Sequence, residues 1–127
     1  MTNELILIVE DDAASRKLLR DVLGVNGYRT IECETGEEAL RLASELSPSL
    51  ILMDIQLPGI SGIEALKRLR EDASTKTIPV IAVTASVTLR EQSDIKEAGF
   101  DGFQSKPISI VRFLETVRET LARSGLG

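Results

Sequence analysis

The sequence predicts a doubly wound α/β fold, (βα)5, with five parallel strands in one sheet and five helices divided between its faces. Two uncharged apolar runs, Leu5-Ile6-Leu7-Ile8-Val9 and Leu50-Ile51-Leu52-Met53, have the length and aliphatic content of strands buried on both faces. Segments with apolar residues at helical spacing alternate with these and three further strand-like runs. Both long runs stop at acid, Glu10-Asp11-Asp12 and Asp54, at the carboxyl strand end where open α/β sheets bind ligands.

After the first strand, Leu18, Leu19, Val22 and Leu23 fall on one helical face, and Gly27 is placed to end that helix in a left-handed cap. Tyr28 to Cys33 reads as a short strand. Thr35 and Glu38 have capping-box spacing and open a helix whose inward face is Ala39, Leu40, Ala43 and Leu46, with Pro48 just past its end. Asp54 heads a loop punctuated by Pro58, Gly59 and Gly62. Ser61 with Glu64 then opens a third helix with Ile63, Leu66 and Leu69 inward. Pro79 precedes a fourth strand, Val80-Ile81-Ala82-Val83, which ends at Thr84. Thr88 to Ala98 is helical, with a Thr88/Glu91 box and a Gly99 stop, but its apolar face is thin: Leu89, Ile95 and Ala98. A fifth short strand, Gly102 to Ser105, leads to Lys106-Pro107. The last helix carries Ile110, Phe113, Leu114, Val117 and Leu121 on one stripe.

A chain of 127 residues has the size of one domain, residues 1–127. The net charge of −5, with no run of Lys and Arg, argues against direct nucleic-acid binding. No apolar segment approaches the roughly 20 residues of a membrane span, and Met1-Thr2-Asn3-Glu4 is unlike a signal peptide, so a cytoplasmic setting is expected. Cys33 is alone and reads as a small core residue. Histidine is absent, which narrows the chemistry to carboxylates, hydroxyls and lysines.

The strand ends would deliver Glu10, Asp11, Asp54, the Thr84 hydroxyl and the Lys106 amine to one edge. Clustered carboxylates repel one another, and the usual remedies are protonation or a hard cation. With oxygen ligands alone, Mg²⁺ is favoured over zinc, with Mn²⁺ an acceptable substitute. Such a site suits phosphoryl transfer. Asp54 is placed to attack phosphorus and form an aspartyl phosphate, with Lys106 and Thr84 neutralising and binding phosphoryl oxygens.

These residues resemble the receiver domains of two-component response regulators, the CheY-like proteins. The resemblance rests on Glu10-Asp11, on Asp54 in Met-Asp-Ile-Gln-Leu-Pro-Gly-Ile-Ser-Gly, on Thr84-Ala85 and on Lys106-Pro107, and it covers essentially the whole chain. Leu-Ile-Leu-Met-Asp-Ile-Gln-Leu-Pro, Ile-Pro-Val-Ile-Ala-Val-Thr-Ala and Ser-Lys-Pro-Ile-Ser look most like single-domain regulators of the DivK type. The resemblance implies phosphoryl transfer to Asp54 from a sensor histidine kinase or histidine phosphotransfer protein. It also implies Mg²⁺ on Asp11, Asp54 and the backbone carbonyl of Gln56, with Glu10 assisting. Thr84 and Phe103 are the implied switch pair, and Lys106-Pro107 the implied cis peptide. Gln56 and Ser86 stand where the family tunes phosphate lifetime. The implied output surface is the fourth helix, fifth strand and fifth helix, read by a downstream protein partner, and the implied activity is self-phosphorylation and dephosphorylation rather than turnover of a separate substrate.

Each residue also has a plainer role open to it. Asp12 is expected to cap the first helix, as acids before helices do; Phe103 stands open between core and switch. Two other classes share parts of the pattern. A phosphohydrolase of the haloacid-dehalogenase kind wants a second Asp two residues after the nucleophile, where this chain has Gln56. A flavodoxin-like cofactor binder wants a Ser/Thr/Gly-rich loop after the first strand, where Glu10-Asp11-Asp12 would repel an FMN phosphate. A receiver excised from a hybrid kinase or larger regulator, and a degenerate receiver that binds partners without phosphorylation, are the remaining alternatives.

Overall fold

The computed structural model describes residues 4–85 and 88–126. Five strands, β1 (Leu5–Val9), β2 (Arg29–Cys33), β3 (Leu50–Met53), β4 (Val80–Thr84) and β5 (Gly102–Ser105), alternate with α1 (Ala13–Val25), α2 (Gly36–Leu46), α3 (Gly62–Glu71), α4 (Leu89–Ala98) and α5 (Ile110–Leu126). Every strand pairing is parallel, in the order β2-β1-β3-β4-β5. The expected fold class is therefore the observed one.

The strand period of two sorts the central residues into two cores. Ile6, Ile8, Leu50, Leu52, Ile81 and Val83 pack under α1 and α5 with Leu19, Leu23, Phe113 and Val117. Leu7, Val9, Ile51, Met53 and Val80 face the other way, onto Ala39 and Ala43 of α2 and Ala65, Leu66 and Leu69 of α3. That is why β1, β3 and β4 read as continuous apolar runs: they are covered on both sides, whereas the edge strands β2 and β5 are only half-buried.

Several side chains depart from the periodicity. Leu18, Leu46, Ile63 and Ile110, expected inward, are 42%, 42%, 36% and 47% exposed, so each inward stripe is narrower than its spacing suggests. Leu89, expected on the thin face of α4, is 84% exposed and leaves Ile95 as the buried residue of that helix. Of the three expected capping boxes, Thr88 and Glu91 bond reciprocally. Thr35 and Ser61 accept from Glu38 N and Glu64 N at 3.1 Å, but the carboxylates go elsewhere: Glu38 faces Arg41 and Glu64 bonds Arg68 Nε at 3.0 Å. Asp12 caps α1 as expected, accepting from Ser15 N at 2.9 Å. The left-handed residue ending α2 is Ser47, φ 47°, a position its sequence does not announce.

Gly62 opens α3 directly against the end of β3. Its N–H donates to Ile55 O at 2.9 Å, and a Cβ there would lie 2.3 Å from the Asp54 carbonyl oxygen and 2.9 Å from Ile55 Cα. Both obstacles are backbone, so nothing yields by rotating a side chain. Gly62→Ala is expected to lower stability by about 2–3 kcal/mol, as overpacking against a rigid neighbour does, measured by urea unfolding.

Cys33 ends β2 at 4% exposure, and burial pushes its thiol up to about 12. At pH 8 it is protonated and shielded. Alkylation by iodoacetamide in the folded protein should be negligible and become complete on unfolding in guanidinium.

Candidate functional site

The sheet register builds the site. Val9 pairs with Met53, so the residues that follow each strand, Glu10 and Asp54, leave the sheet side by side. Backbone bonds hold them there: Asp54 N donates to Val9 O at 3.0 Å, and Glu10 N to Cys33 O at 3.0 Å. From β1 the strand order runs outward in opposite directions, making this pair the topological switch point. On the next strand beyond β3, Thr84 pairs with Ser105 of β5 and its carbonyl accepts from Lys106 N at 2.8 Å, so Lys106 leaves the sheet at the same edge as the acids.

Lys106 Nζ lies 2.6 Å from Glu10 Oε1 and 3.2 Å from Asp54 Oδ2. Glu10 and Asp54 are 1% and 6% exposed, so a cation between them answers a like-charge contact that water does not screen. Burial raises the Glu10 carboxyl above its ordinary range, against the lowering effect of hydrogen bonds from Lys106 and the Asp12 N–H. For Lys106, burial works downward, but the Glu10 hydrogen bond and the charges of Asp54 and Glu10 outweigh it and hold the ammonium above its ordinary value. The second Asp54 oxygen, Oδ1, accepts from Gln56 N at 3.1 Å.

Asp11 is exposed, and one carboxylate oxygen from each of Glu10, Asp11 and Asp54 lies within 4.8 Å of the others. Three converging carboxylates with no nitrogen or sulfur donor are a hard-cation donor set, and Glu10, Asp11 and Asp54 could hold a divalent metal. The backbone of this loop is held from α1. Arg16 Nη1 donates to Glu10 O at 2.9 Å and to Asp11 O at 3.2 Å.

Thr84 is 5% exposed and, with Ile55, Gln56, Ile63, Glu91, Asp94 and Ile95, lines a hollow of about 100 Å³ beside the β3–α3 loop. The structure thus brings Glu10, Asp11, Asp54 and Lys106 into one cluster and sets Thr84 and Gln56 together at its flank. Phe103 is apart from the cluster. It is half-buried and lines a groove of about 550 Å³ between α4 and β5 with Leu89, Ile95 and Phe100. The Lys106–Pro107 peptide bond is cis. Ser86 lies outside the described residues.

Arg16 is the site-side residue that sequence reasoning passed over. Its only signal is positional: one turn into α1, its side chain can reach back over the helix start to the strand end it follows.

Comparison with known proteins gives the same reading. Residues 6–118 match the family signature described as the response regulator receiver domain. Over 116 residues, 91% of this chain and 94% of the relative, the sequence is 47% identical to the polar-differentiation response regulator DivK of Brucella ovis. The Brucella anthropi protein of the same name is matched to the same extent. Among solved structures, a CheY-like response regulator receiver domain protein from Methanospirillum hungatei superposes with TM-score 0.88 at 28% identity, covering 97% of each chain. The receiver domain of a sensor histidine kinase from Pseudomonas aeruginosa, which has a magnesium ion coordinated in its active-site cleft, does so at 0.88 and 26%, covering 94% of this chain and 98% of that one. With the signature spanning most of the chain and a relative nearly half identical, this protein belongs to the response regulator receiver domain family of two-component signalling.

Proposed function

We propose that residues 1–127 act as one receiver unit whose phosphoacceptor is Asp54, charged by a sensor histidine kinase or histidine phosphotransfer protein and read by a downstream protein. The observation that carries this is the cluster itself: a nearly buried Asp54 whose two oxygens are held by Lys106 Nζ and Gln56 N–H, beside Glu10 and Asp11. In the reaction an Asp54 carboxylate oxygen attacks phosphorus, the phosphorus–nitrogen bond of the donor phosphohistidine breaks, and the imidazole leaves with that electron pair. Lys106 supplies a positive charge within reach of Asp54, available to a phosphoryl oxygen in the loose transition state. The Thr84 hydroxyl is assigned a second phosphoryl oxygen. Mg²⁺, or Mn²⁺ in its place, would be held by Asp11, Asp54 and the Gln56 carbonyl with Glu10 assisting, and when bound supplies neutralisation of the charge that collects on the phosphoryl group. The protein is not a turnover enzyme in this reading; it completes and reverses its own modification in the cytoplasm, with Gln56 and Ser86 setting the lifetime.

The output is assigned to the helix with the thinnest buried face. Helix α4 buries Ile95 alone, so bond formation at Thr84 can shift it at small cost, with Phe103 leaving its groove as the α4-β5-α5 surface changes. Phe103 lacks the hydroxyl that would tie a tyrosine to solvent. Phe103→Tyr is expected to populate the switched state less, seen as smaller amide shifts across α4 and β5 on addition of a phosphate mimic; identical shifts would remove Phe103 from the switch.

Acetyl phosphate with Mg²⁺ should add one phosphoryl group to the intact mass, lost with EDTA and in Asp54→Asn. Failure with acetyl phosphate and with a panel of phosphorylated histidine proteins would leave a degenerate binding module. Lys106→Met is expected to slow uptake by about 10²-fold, the size of losing one charge-stabilising donor, measured by the same mass assay over time.

A further inference from the structure

Arg16 stands where a cation is disfavoured twice. It is in the first turn of α1, whose N-terminal dipole end is positive, and it adjoins the acids that would receive a divalent metal. Its side chain nevertheless has partners on both sides and is only 18% exposed. Nη1 bonds two successive carbonyls, Glu10 O at 2.9 Å and Asp11 O at 3.2 Å, while Nε faces Glu32 Oε1 of β2 at 3.6 Å and Nη1 also lies 3.9 Å from Glu34 Oε1. A lysine has one nitrogen and cannot span the loop carbonyls and the β2 acid at once.

The consequence falls on Asp11. Glu10 is locked by Lys106 and by the Asp12 N–H, and Asp54 by Lys106 and the Gln56 N–H. The Asp11 carboxylate is exposed and, among the described residues, no side chain or N–H bonds it. With no partner of its own, the side chain has only its Cα–Cβ direction fixed, and that direction is set by the two peptide units on either side of its Cα, whose carbonyls Arg16 holds. We infer that Arg16 is a positioning residue for the metal site: by clamping the Glu10 and Asp11 carbonyls to β2, it pre-aims the Asp11 carboxylate toward Glu10 and Asp54 and raises divalent-cation affinity. This rests on the phosphoacceptor reading above, and on the ordinary finding that groups outside the ligand set orient the ligands.

The sign of the effect makes the test sharp. By charge alone, removing Arg16 should tighten Mg²⁺ binding; by lost orientation, it should weaken it. Mg²⁺ titration of the full chain by calorimetry is expected to show about tenfold weaker binding in Arg16→Met. Arg16→Lys, which keeps the charge but not the span, is expected to weaken it about threefold. Phosphoryl uptake in both variants should be slow at limiting Mg²⁺ and recover at saturating Mg²⁺. A variant that binds Mg²⁺ as tightly as wild type or tighter, even if less stable to heat, overturns the inference and leaves Arg16 a structural residue. If Arg16→Met does not fold, Arg16→Lys decides on the same criterion. Wild type that fails to bind Mg²⁺ overturns the reading beneath it instead, and the two failures cannot be confused.

Discussion

Lys106 Nζ sits between Glu10 and Asp54, partners 96 and 52 residues away along the chain. Two nearly buried carboxylates this close would force each other toward protonation or push the strand ends apart, and the ammonium lets both stay where the sheet register puts them. It ties β1, β3 and the β5–α5 turn at the one edge where the sheet changes direction. The same cation that relieves the repulsion at that edge is the one to which the proposed function assigns the phosphoryl charge. A cluster whose charges are balanced by one cation is electrostatically sensitive to any further charge placed beside it.

The rest of the structure keeps that edge rigid. Both faces of β1, β3 and β4 are covered, so the strand ends cannot slide without exposing Leu7 and Val9 on one side or Ile6 and Ile8 on the other. Gly62 lets α3 start within van der Waals distance of the Asp54 carbonyl, which closes the β3–α3 loop tightly behind the acid.

Much of this was legible in the sequence because the signals were redundant. Continuous apolar runs ending in acid specify doubly covered parallel strands, and Thr35, Ser61, Thr88 and Gly99 mark helix ends independently of the runs. What periodicity missed was width. Leu18, Ile63 and Ile110 sit at the margins of their helical stripes and stand partly in solvent. Leu18 lines a hollow with Pro107 and Ile108, and Ile63 lines the one beside Thr84, so their exposure belongs to the site's surroundings rather than to the core. In the site, carboxylates, Thr84 and Lys106 could be placed because each terminates a strand. Arg16 could not. Its role lies in hydrogen bonds to backbone carbonyls, and carbonyls carry no sequence label.

The two ends of α4 are closed from within. Thr88 and Glu91 bond reciprocally at the start, and Gly99, φ 101°, turns the last residue back so that its N–H donates to Lys96 O. Both caps are drawn from its own chain, while Ile95, with Ala98 partly buried behind it, ties it to the body. Such a helix can be translated as a solid piece. Moving it would require no unwinding and no new caps, so under the proposed function the helix is suited to shift as an intact unit rather than by local unfolding.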